Sequence, residues 1–256
     1  MKIRSNQNLF NAEVEGSGAP ILCLSGFGCD HYNFAWLELT GLKVKLDNRG
    51  FGGSENNLEN YSILQLAQDA NSVMNILGYE SYHVVGISMG GMIAQELTLR
   101  FPTSVKTLSL LCTTGPGDEF VSLPKLTEDD LKKFYELDPE VAARRAVSAT
   151  CYQENKIDSI VKLRCAHPAK LSEVLKQKRA VDEFLKEPIP LSEINVPTLV
   201  MTGANDRYVS PRNSHLIHQK IKNSKLIEVE NTDHLFFLEE PKIVSDHINS
   251  FIAEEN

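Results

Sequence analysis

One short stretch, Gly-Ile-Ser-Met-Gly at residues 86–90, constrains the fold most, because it joins a strand to a helix through a tight turn. The apolar residues 82–85 before it predict a short buried strand, and the composition of residues 89–100 after it favours a helix. Two glycines let the strand and the helix approach closely, which holds Ser88 in a strained conformation with its hydroxyl exposed. The stretch therefore predicts an accessible serine nucleophile at the end of a strand.

Strands and helices alternate along most of the chain. An apolar run of strand length lies at residues 20–24, and further strand-like segments lie at 44–46, 82–85, 105–112, 198–201 and 226–229. Helical spacing of apolar residues, or helix-favouring composition, marks residues 62–77, 89–100, 212–221 and 241–253. This alternation predicts an α/β fold, in which helices cover both faces of a mostly parallel twisted sheet.

Residues 117–190 interrupt the alternation, because they are polar, contain no convincing strand and include helix-like segments such as 128–137 and 139–150. We interpret them as a helical cap inserted between two parts of one α/β core. The expected domains are then a first core part at 1–116, the cap at 117–190 and a second core part at 191–256. A set of ordinary connecting helices is the alternative interpretation.

Composition limits the class of partner and the compartment. The formal net charge of −8 and the pI near 5.4 argue against nucleic acid or a membrane surface as the main partner. No apolar run is long enough to span a bilayer, and residues 1–8 lack the apolar core of a signal peptide. The five cysteines, Cys23, Cys29, Cys112, Cys151 and Cys165, have no C-x-x-C spacing. We expect reduced thiols and a cytoplasmic location; the sequence does not indicate an oligomeric state.

A serine nucleophile needs a base that takes its proton and an acid that orients the base. His234 follows the last predicted strand, in a loop that opens on the carboxyl edge of the sheet, where ligands bind in open α/β folds. We therefore predict His234 as the base. The other histidines lie in a strand, on helices, in the cap or after the first glycine loop: His83, His215, His218, His247, His167 and His31.

Asp206 is the predicted acid, because it lies in the loop that follows the strand at 198–201. We expect this loop to lie close to the loop of His234 at the same edge of the sheet. Two other carboxylates stay open at this point. Asp118 follows the preceding core strand, and Asp233 adjoins His234 in the sequence but is expected to point elsewhere.

An oxyanion hole needs two backbone N–H groups that point at the developing charge. The amide of Met89 directly after Ser88 is one predicted donor, and the amide of Phe27 in the glycine-rich loop at 25–28 is the other. That loop lacks both the G-x-G-x-x-G and the Walker spacing, so a nucleotide-binding role is disfavoured.

With these parts in order, the chain resembles the α/β-hydrolase superfamily over essentially its whole length. The family's D-x-R-G-x-G-x-S loop matches residues 47–54, and residues 196–199 with Gly203 and Asp206 match the segment that carries the acid. The resemblance implies Ser88 as nucleophile, Asp206 as acid, His234 as base and a cap over the pocket. In the family the loop at 47–54 is structural, so none of its residues is predicted to be catalytic.

Within the superfamily the sequence is most similar to capped carboxylesterases and to enol-lactone hydrolases of the 3-oxoadipate type, on residues 88–93 and 28–31. It departs from them at Ser25-Gly26, where the family usually has His-Gly. Dehalogenases and epoxide hydrolases of this fold use an aspartate nucleophile, so Ser88 argues against both. Met92 stands where relatives of the menaquinone-pathway synthase tend to have arginine.

The resemblance implies a serine hydrolase that cleaves a carboxylic ester or lactone of a small to medium acyl group, with no cofactor. Transfer to another acceptor, as in perhydrolases and acyltransferases, C–C bond hydrolysis and a non-turnover receptor stay open. Apolar side chains predicted to line the pocket are Phe27, Trp36, Met89, Phe134, Tyr135 and Tyr152. No metal site is predicted, because the helical pair His215 and His218 lacks a third partner. Cys29 is expected to pack in the protein interior rather than line the pocket. The arginine pair at 144–145 is expected to lie on a solvent-exposed helix face.

Overall fold

The computed structural model describes residues 1–5 and 7–255, and within them eight strands form one sheet. The strands are β1 (Lys2–Ser5), β2 (Asn8–Gly16), β3 (Pro20–Leu24), β4 (Leu42–Leu46), β5 (Tyr82–Ile87), β6 (Val105–Leu111), β7 (Thr198–Gly203) and β8 (Ser224–Val229). Their order in the sheet is β1-β2-β4-β3-β5-β6-β7-β8. The pairs β1-β2 and β2-β4 are antiparallel and the other pairs are parallel, so the predicted mostly parallel α/β sheet is confirmed.

Nine α-helices surround or extend this sheet in the described residues. They are α1 (Ile63–Ile76), α2 (Met89–Arg100), α3 (Glu128–Tyr135), α4 (Pro139–Ser148), α5 (Ile157–Cys165), α6 (Leu171–Phe184), α7 (Pro211–Lys220), α8 (Phe236–Glu239) and α9 (Pro241–Glu254). Short 3₁₀ helices lie at His31–Phe34, Glu154–Lys156 and Leu191–Glu193.

Both faces of the sheet are buried, as the alternation of the sequence predicted. Along β3, Leu22 and Leu24 pack into one hydrophobic cluster, whereas Ile21 and Cys23 pack into another on the opposite face. Helices α1, α2 and α7 contribute to the first cluster, and α8 and α9 contribute to the second. The central strand β5 is buried along its whole length, which fixes the position of the turn that follows it.

The first two strands were not predicted. In β2 the buried side chains Phe10 and Ala12 alternate with less buried polar neighbours, which is the two-residue period of a strand with one protected face. The sequence prediction missed this strand because it relied on continuous apolar runs, and polar residues interrupt the apolar ones in β2. Such runs belong to strands with both faces buried.

Residues 117–190 contain helices α3 to α6 and no strand, within the part of the chain that the structure describes. Helix α4 packs on α5, and α3 packs on α6. Helix α6 also reaches the sheet's own loops, because Gln177 accepts a hydrogen bond from the amide of Gly28 at 2.8 Å. We call residues 117–190 the helical segment.

Among the described residues, no helix combines the length and the apolar character needed to cross a membrane. All five cysteines are free thiols. The cytoplasmic location stays a prediction.

Gly90 is required by the close approach of α2 to β3, because a Cβ atom there would collide with the carbonyl oxygen of Leu24. We expect Gly90→Ala to lower the free energy of unfolding by about 3 kcal/mol or more, as overpacking against rigid backbone does. Urea denaturation of both proteins measures this difference.

Gly78→Ala is the matched control, because Gly78 has φ +86° and a Cβ there meets nothing within 4 Å. The control carries only the backbone strain of about 1 kcal/mol. Equal losses in the two variants would contradict the packing account of Gly90.

Candidate active site

Ser88 lies between the end of β5 and the start of α2, with φ 54° and ψ −116°. This strained backbone is held from both sides: the Ser88 amide donates to the carbonyl of Leu111 at 2.8 Å, and the Thr113 hydroxyl donates to the Ser88 carbonyl at 2.7 Å. The turn directs the side chain toward His234, whose Nε2 lies 3.2 Å from the Ser88 Oγ. The distance is within hydrogen-bond reach of a base.

Asp206 and His234 meet at the carboxyl edge of the sheet, after β7 and β8. The Asp206 Oδ2 lies 2.9 Å from the His234 Nδ1, and the carboxylate is completely buried. Its other oxygen accepts hydrogen bonds from the amides of Tyr208 at 2.9 Å and Val209 at 2.8 Å. The carboxylate is therefore fixed in one orientation, in which it accepts a hydrogen bond from the Nδ1–H of His234 and so favours the tautomer whose Nε2 carries no proton.

The pKa of His234 lies well above its ordinary value of 6.5, although burial of the imidazole acts to lower it. Cys112 and Asp206 both act in the raising direction. Burial also raises the pKa of the Cys112 thiol and keeps that group neutral, so we assign the upward shift to the Asp206 carboxylate. The imidazolium that forms when His234 takes a proton is thus stabilised by its neighbour.

Asp233, one of the alternative acids, does not contact the imidazole ring of His234. Its Oδ1 accepts from the backbone amides of Arg207 at 2.9 Å and His234 at 2.7 Å, and its Oδ2 pairs with the Arg207 side chain. Asp233 therefore ties the loop of Asp206 to the loop of His234. The other alternative, Asp118, is exposed and lies on the wall of the cavity described below.

Glu239, which the sequence prediction missed, fastens the helical segment to the same loops. Its completely buried carboxylate accepts from the amides of Asp233 at 2.9 Å and of Tyr152 and Gln153 at 2.7 Å each. The only sequence signal is an acidic residue directly after three apolar ones, Phe-Phe-Leu, in α8. A carboxylate that ends an apolar run is a candidate for an internal acceptor of backbone amides.

The loop that carries Phe27 borders Ser88, because a Cβ on Gly26 would lie 3.4 Å from the Cβ of Ser88. Side chains hold the amides on either side of Phe27: Asn33 accepts from Gly26 at 2.9 Å, and Gln177 accepts from Gly28 at 2.8 Å. Within the described residues, the amides of Phe27 and Met89 have no acceptor of their own. Neither predicted donor is therefore engaged elsewhere in the part of the chain that the structure describes.

A cavity of about 510 Å³ opens beside Ser88, and its volume is in the range of small-molecule sites. Its apolar wall comes from the core residues Phe27, Met89 and Met92 and from the helical segment. The helical segment supplies Phe120, Val121, Leu123, Leu126, Val181 and Leu185. Tyr208 also lines the cavity, with its ring 5.2 Å from the imidazole of His234, and polar side chains such as Lys178 and Asp182 line it as well.

Four of the predicted lining residues lie outside this cavity. Trp36 packs against the second hydrophobic cluster, and Phe134 and Tyr135 stack on each other in α3, with ring centroids 6.1 Å apart. Tyr152 is about half exposed and borders a different hollow, beside Arg207. The directions of Phe134 and Tyr135 depend on how α3 packs on α6, whereas Trp36 lies outside the helical segment and Tyr152 lies in one of its loops.

The side chains of Cys29 and Arg144 both lie outside the cavity beside Ser88, as the sequence predicted. Cys29 is buried and packs against Tyr32, with the thiol 2.9 Å from the phenolic oxygen. Arg144 pairs with Asp158 at 2.7 Å on the outside of the helical segment, away from the cavity beside Ser88.

Residues 20–155 match the sequence model of a family described as alpha/beta hydrolase fold. The chain is 28% identical to the AB hydrolase superfamily protein YisY of Bacillus subtilis, over 99% of this chain and 97% of that protein.

Among solved structures, an enol-lactonase from Burkholderia xenovorans has a TM-score of 0.85 and 19% identity, over 99% of this chain and 100% of that one. A thermophilic esterase from Thermogutta terrifontis has a TM-score of 0.83 and 22% identity, over 100% of this chain and 98% of that one. At these identities the two structures show a shared fold.

Proposed function

The chain belongs to the α/β-hydrolase family, and from this premise we propose that it hydrolyses a carboxylic ester or lactone through an acyl-enzyme intermediate on Ser88. The observation that carries the proposal is the chain of contacts from Ser88 Oγ to His234 Nε2 at 3.2 Å and from His234 Nδ1 to Asp206 at 2.9 Å. The contacts end at a cavity whose wall combines apolar side chains with charged ones, among them Asp118, Lys178 and Asp182. The esterase and enol-lactonase among the similar structures support the same reaction class.

The proposed reaction has two steps. Ser88 Oγ attacks the carbonyl carbon while His234 Nε2 takes the hydroxyl proton, and the amides of Phe27 and Met89 stabilise the oxyanion. His234 then gives its proton to the leaving alkoxide, which departs as an alcohol from an ester and stays on the acyl chain as a hydroxyl group when the substrate is a lactone. Water, deprotonated by His234, attacks the acyl-enzyme in the same way and releases the acid. In both steps Asp206 holds the His234 proton on Nδ1 and stabilises the imidazolium that forms.

We propose that the helical segment acts as a cap over the α/β core of residues 1–116 and 191–256. Asn6 and Asn256, which fall in those two core parts, lie outside the described residues. Support comes from the cavity, because side chains of the helical segment form much of the wall opposite Ser88 and Met89. The cap then determines which acyl group reaches Ser88.

A series of p-nitrophenyl esters tests this role. We expect acetate, butyrate and octanoate esters to be hydrolysed and the palmitate ester to be a poor substrate, because the cavity is small. Val181→Trp should lower the octanoate-to-acetate ratio of kcat/KM by about tenfold, since Val181 lines the cavity and a larger side chain shortens it.

Tyr152→Trp is the matched control, because Tyr152 belongs to the helical segment and lies outside the cavity. An unchanged ratio in the Val181 variant, or an equal change in both variants, would contradict the proposed cap role. No turnover of any ester or enol lactone by the wild-type protein would instead favour a ligand-binding protein of the same fold.

A further inference from the structure

Three side chains of the kinds that bind metal ions meet at the junction between the helical segment and the core. Asp30 and His31 follow the loop of Phe27, and His167 lies between α5 and α6. One ligand atom from each residue lies within 4.8 Å of the other two. Asp30 and His31 are adjacent in the sequence and His167 is distant from both, so the cluster exists because the helical segment folds onto the core.

The distances suit a tetrahedral ion. Metal bonds of about 2.0 Å place neighbouring ligand atoms about 3.3 Å apart, and two imidazoles that share the ion through Nδ1 have ring centroids about 5 Å apart. Here the His167 Nδ1 is 3.1 Å from the Asp30 carboxylate, and the His31 Nδ1 is 3.7 Å from it. The two imidazole centroids are 5.4 Å apart, with the rings nearly perpendicular. Small side-chain movements would bring all three atoms onto one ion.

The surroundings of the cluster also favour a dication. The far nitrogen of His31 lies 3.4 Å from the Glu13 carboxylate, the arrangement that orients metal-bound histidines in proteins. Asp47 lies 2.8 Å from the His31 Nδ1 and adds a further negative charge. The imidazoles are about one quarter exposed, so an ion can enter from solvent. A metal would replace the protons that His31 and His167 now share with Asp47 and Asp30.

We propose that Asp30, His31 and His167 bind one Zn²⁺ ion, with the fourth position taken by water. Two imidazoles and one carboxylate are ligands that zinc accepts, whereas magnesium and calcium prefer sites made wholly of oxygen. The ion joins the helical segment to the loop that carries Phe27. Zinc therefore stabilises the closed arrangement of the segment over the core.

Titration calorimetry of the full-length protein with zinc chloride, after treatment with a chelator, tests the proposal. We expect about one equivalent bound, at least tenfold weaker binding by His167→Ala, and a Tm that zinc raises only in the wild type. His167→Asn should also lose zinc binding, although its amide can still donate to Asp30, so loss of the fold is separated from loss of a ligand. Magnesium chloride should have no effect.

His215→Ala is the matched control, because His215 lies on α7 beside Glu228 at 2.7 Å and is the kind of surface site that binds zinc adventitiously. This variant should bind zinc as the wild type does. The proposal is overturned if the wild type binds no zinc, or if both His167 variants bind it as tightly as the wild type. Ser88→Ala should bind zinc normally, so failure of the proposed hydrolase function and failure of the zinc site are distinguishable.

Discussion

Replacement of Ser88 by alanine is expected to lower kcat/KM for a p-nitrophenyl ester by about 10⁴-fold or more. The variant loses the Ser88 Oγ, which lies 3.2 Å from the His234 Nε2, and with it the acyl-enzyme route. The amides of Phe27 and Met89 still bind the carbonyl oxygen, so a small residual activity above that of water should persist. Steady-state kinetics at saturating and limiting ester concentrations measure the loss.

Ser122→Ala is the matched control for this variant, because Ser122 lies on the wall of the same cavity and outside the contacts of His234. Its activity should stay close to that of the wild type. Retained turnover in Ser88→Ala, with a normal circular dichroism spectrum, would contradict the proposed nucleophile.

Replacement of Asp206 by asparagine should lower kcat by about 10⁴-fold while the fold is kept. The asparagine amide would donate to the His234 Nδ1, so the imidazole would carry its proton on Nε2 and could not accept the proton of Ser88. Little of the loss should appear in KM, because Asp206 touches the base and not the cavity wall. A pre-steady-state measurement of acylation separates this effect from deacylation.

The pH dependence of kcat/KM provides a second test of the role of Asp206. A base must be neutral to accept a proton, so kcat/KM rises as pH increases through the pKa of His234. Because the Asp206 carboxylate raises the pKa of His234, the acidic limb of the wild-type profile should lie at higher pH than it would without this charge. Asp206→Asn removes the negative charge, so the residual activity should show an acidic limb at lower pH.

Asp118→Asn is the control, because it alters the other strand-end carboxylate that the sequence left open. It should leave both kcat and the acidic limb unchanged, since Asp118 is exposed on the cavity wall. If Asp118→Asn shifted the limb and Asp206→Asn did not, Asp118 would be the acid.

Much of the fold could be predicted from the sequence, because both faces of the central strands are buried. Such strands are rich in apolar residues and stand out from the polar loops: β3 is a continuous apolar run, and β5 has His83 as its one polar side chain apart from the Tyr82 hydroxyl. Because these strands could be recognised in the sequence, the position of the candidate site at their ends could be predicted as well. Parallel strands end at one edge of the sheet, so Ser88, Asp206 and His234 could each be placed there from the strand that precedes it.

The cavity wall could not be predicted in the same way. Phe120 and Leu123 belong to an irregular stretch before α3, where no periodicity indicates which side chains turn inward. Val181 is a buried residue of α6, so a helical pattern could have marked it as buried. The direction in which α6 presents it over the core depends on tertiary packing. Phe134, Tyr135 and Tyr152 of the helical segment, and Trp36 outside it, are therefore predicted lining residues that do not line this cavity.

Contacts between distant parts of the chain were also beyond the sequence. Gln177 meets the amide of Gly28 across 149 positions, and Glu239 meets the amide of Tyr152 across 87. The cluster of Asp30, His31 and His167 has the same origin. A single sequence gives the chemical type of each group, whereas its partner follows only from the packed structure.

Reaction with a fluorophosphonate, followed by mass spectrometry of the digested protein, tests the central claim most directly. The probe phosphonylates a serine that a neighbouring base activates and an oxyanion hole supports. We predict one adduct, on Ser88, that is absent in Ser88→Ala and forms much more slowly in Asp206→Asn. An adduct on another residue, or no adduct on a correctly folded protein, would contradict the account.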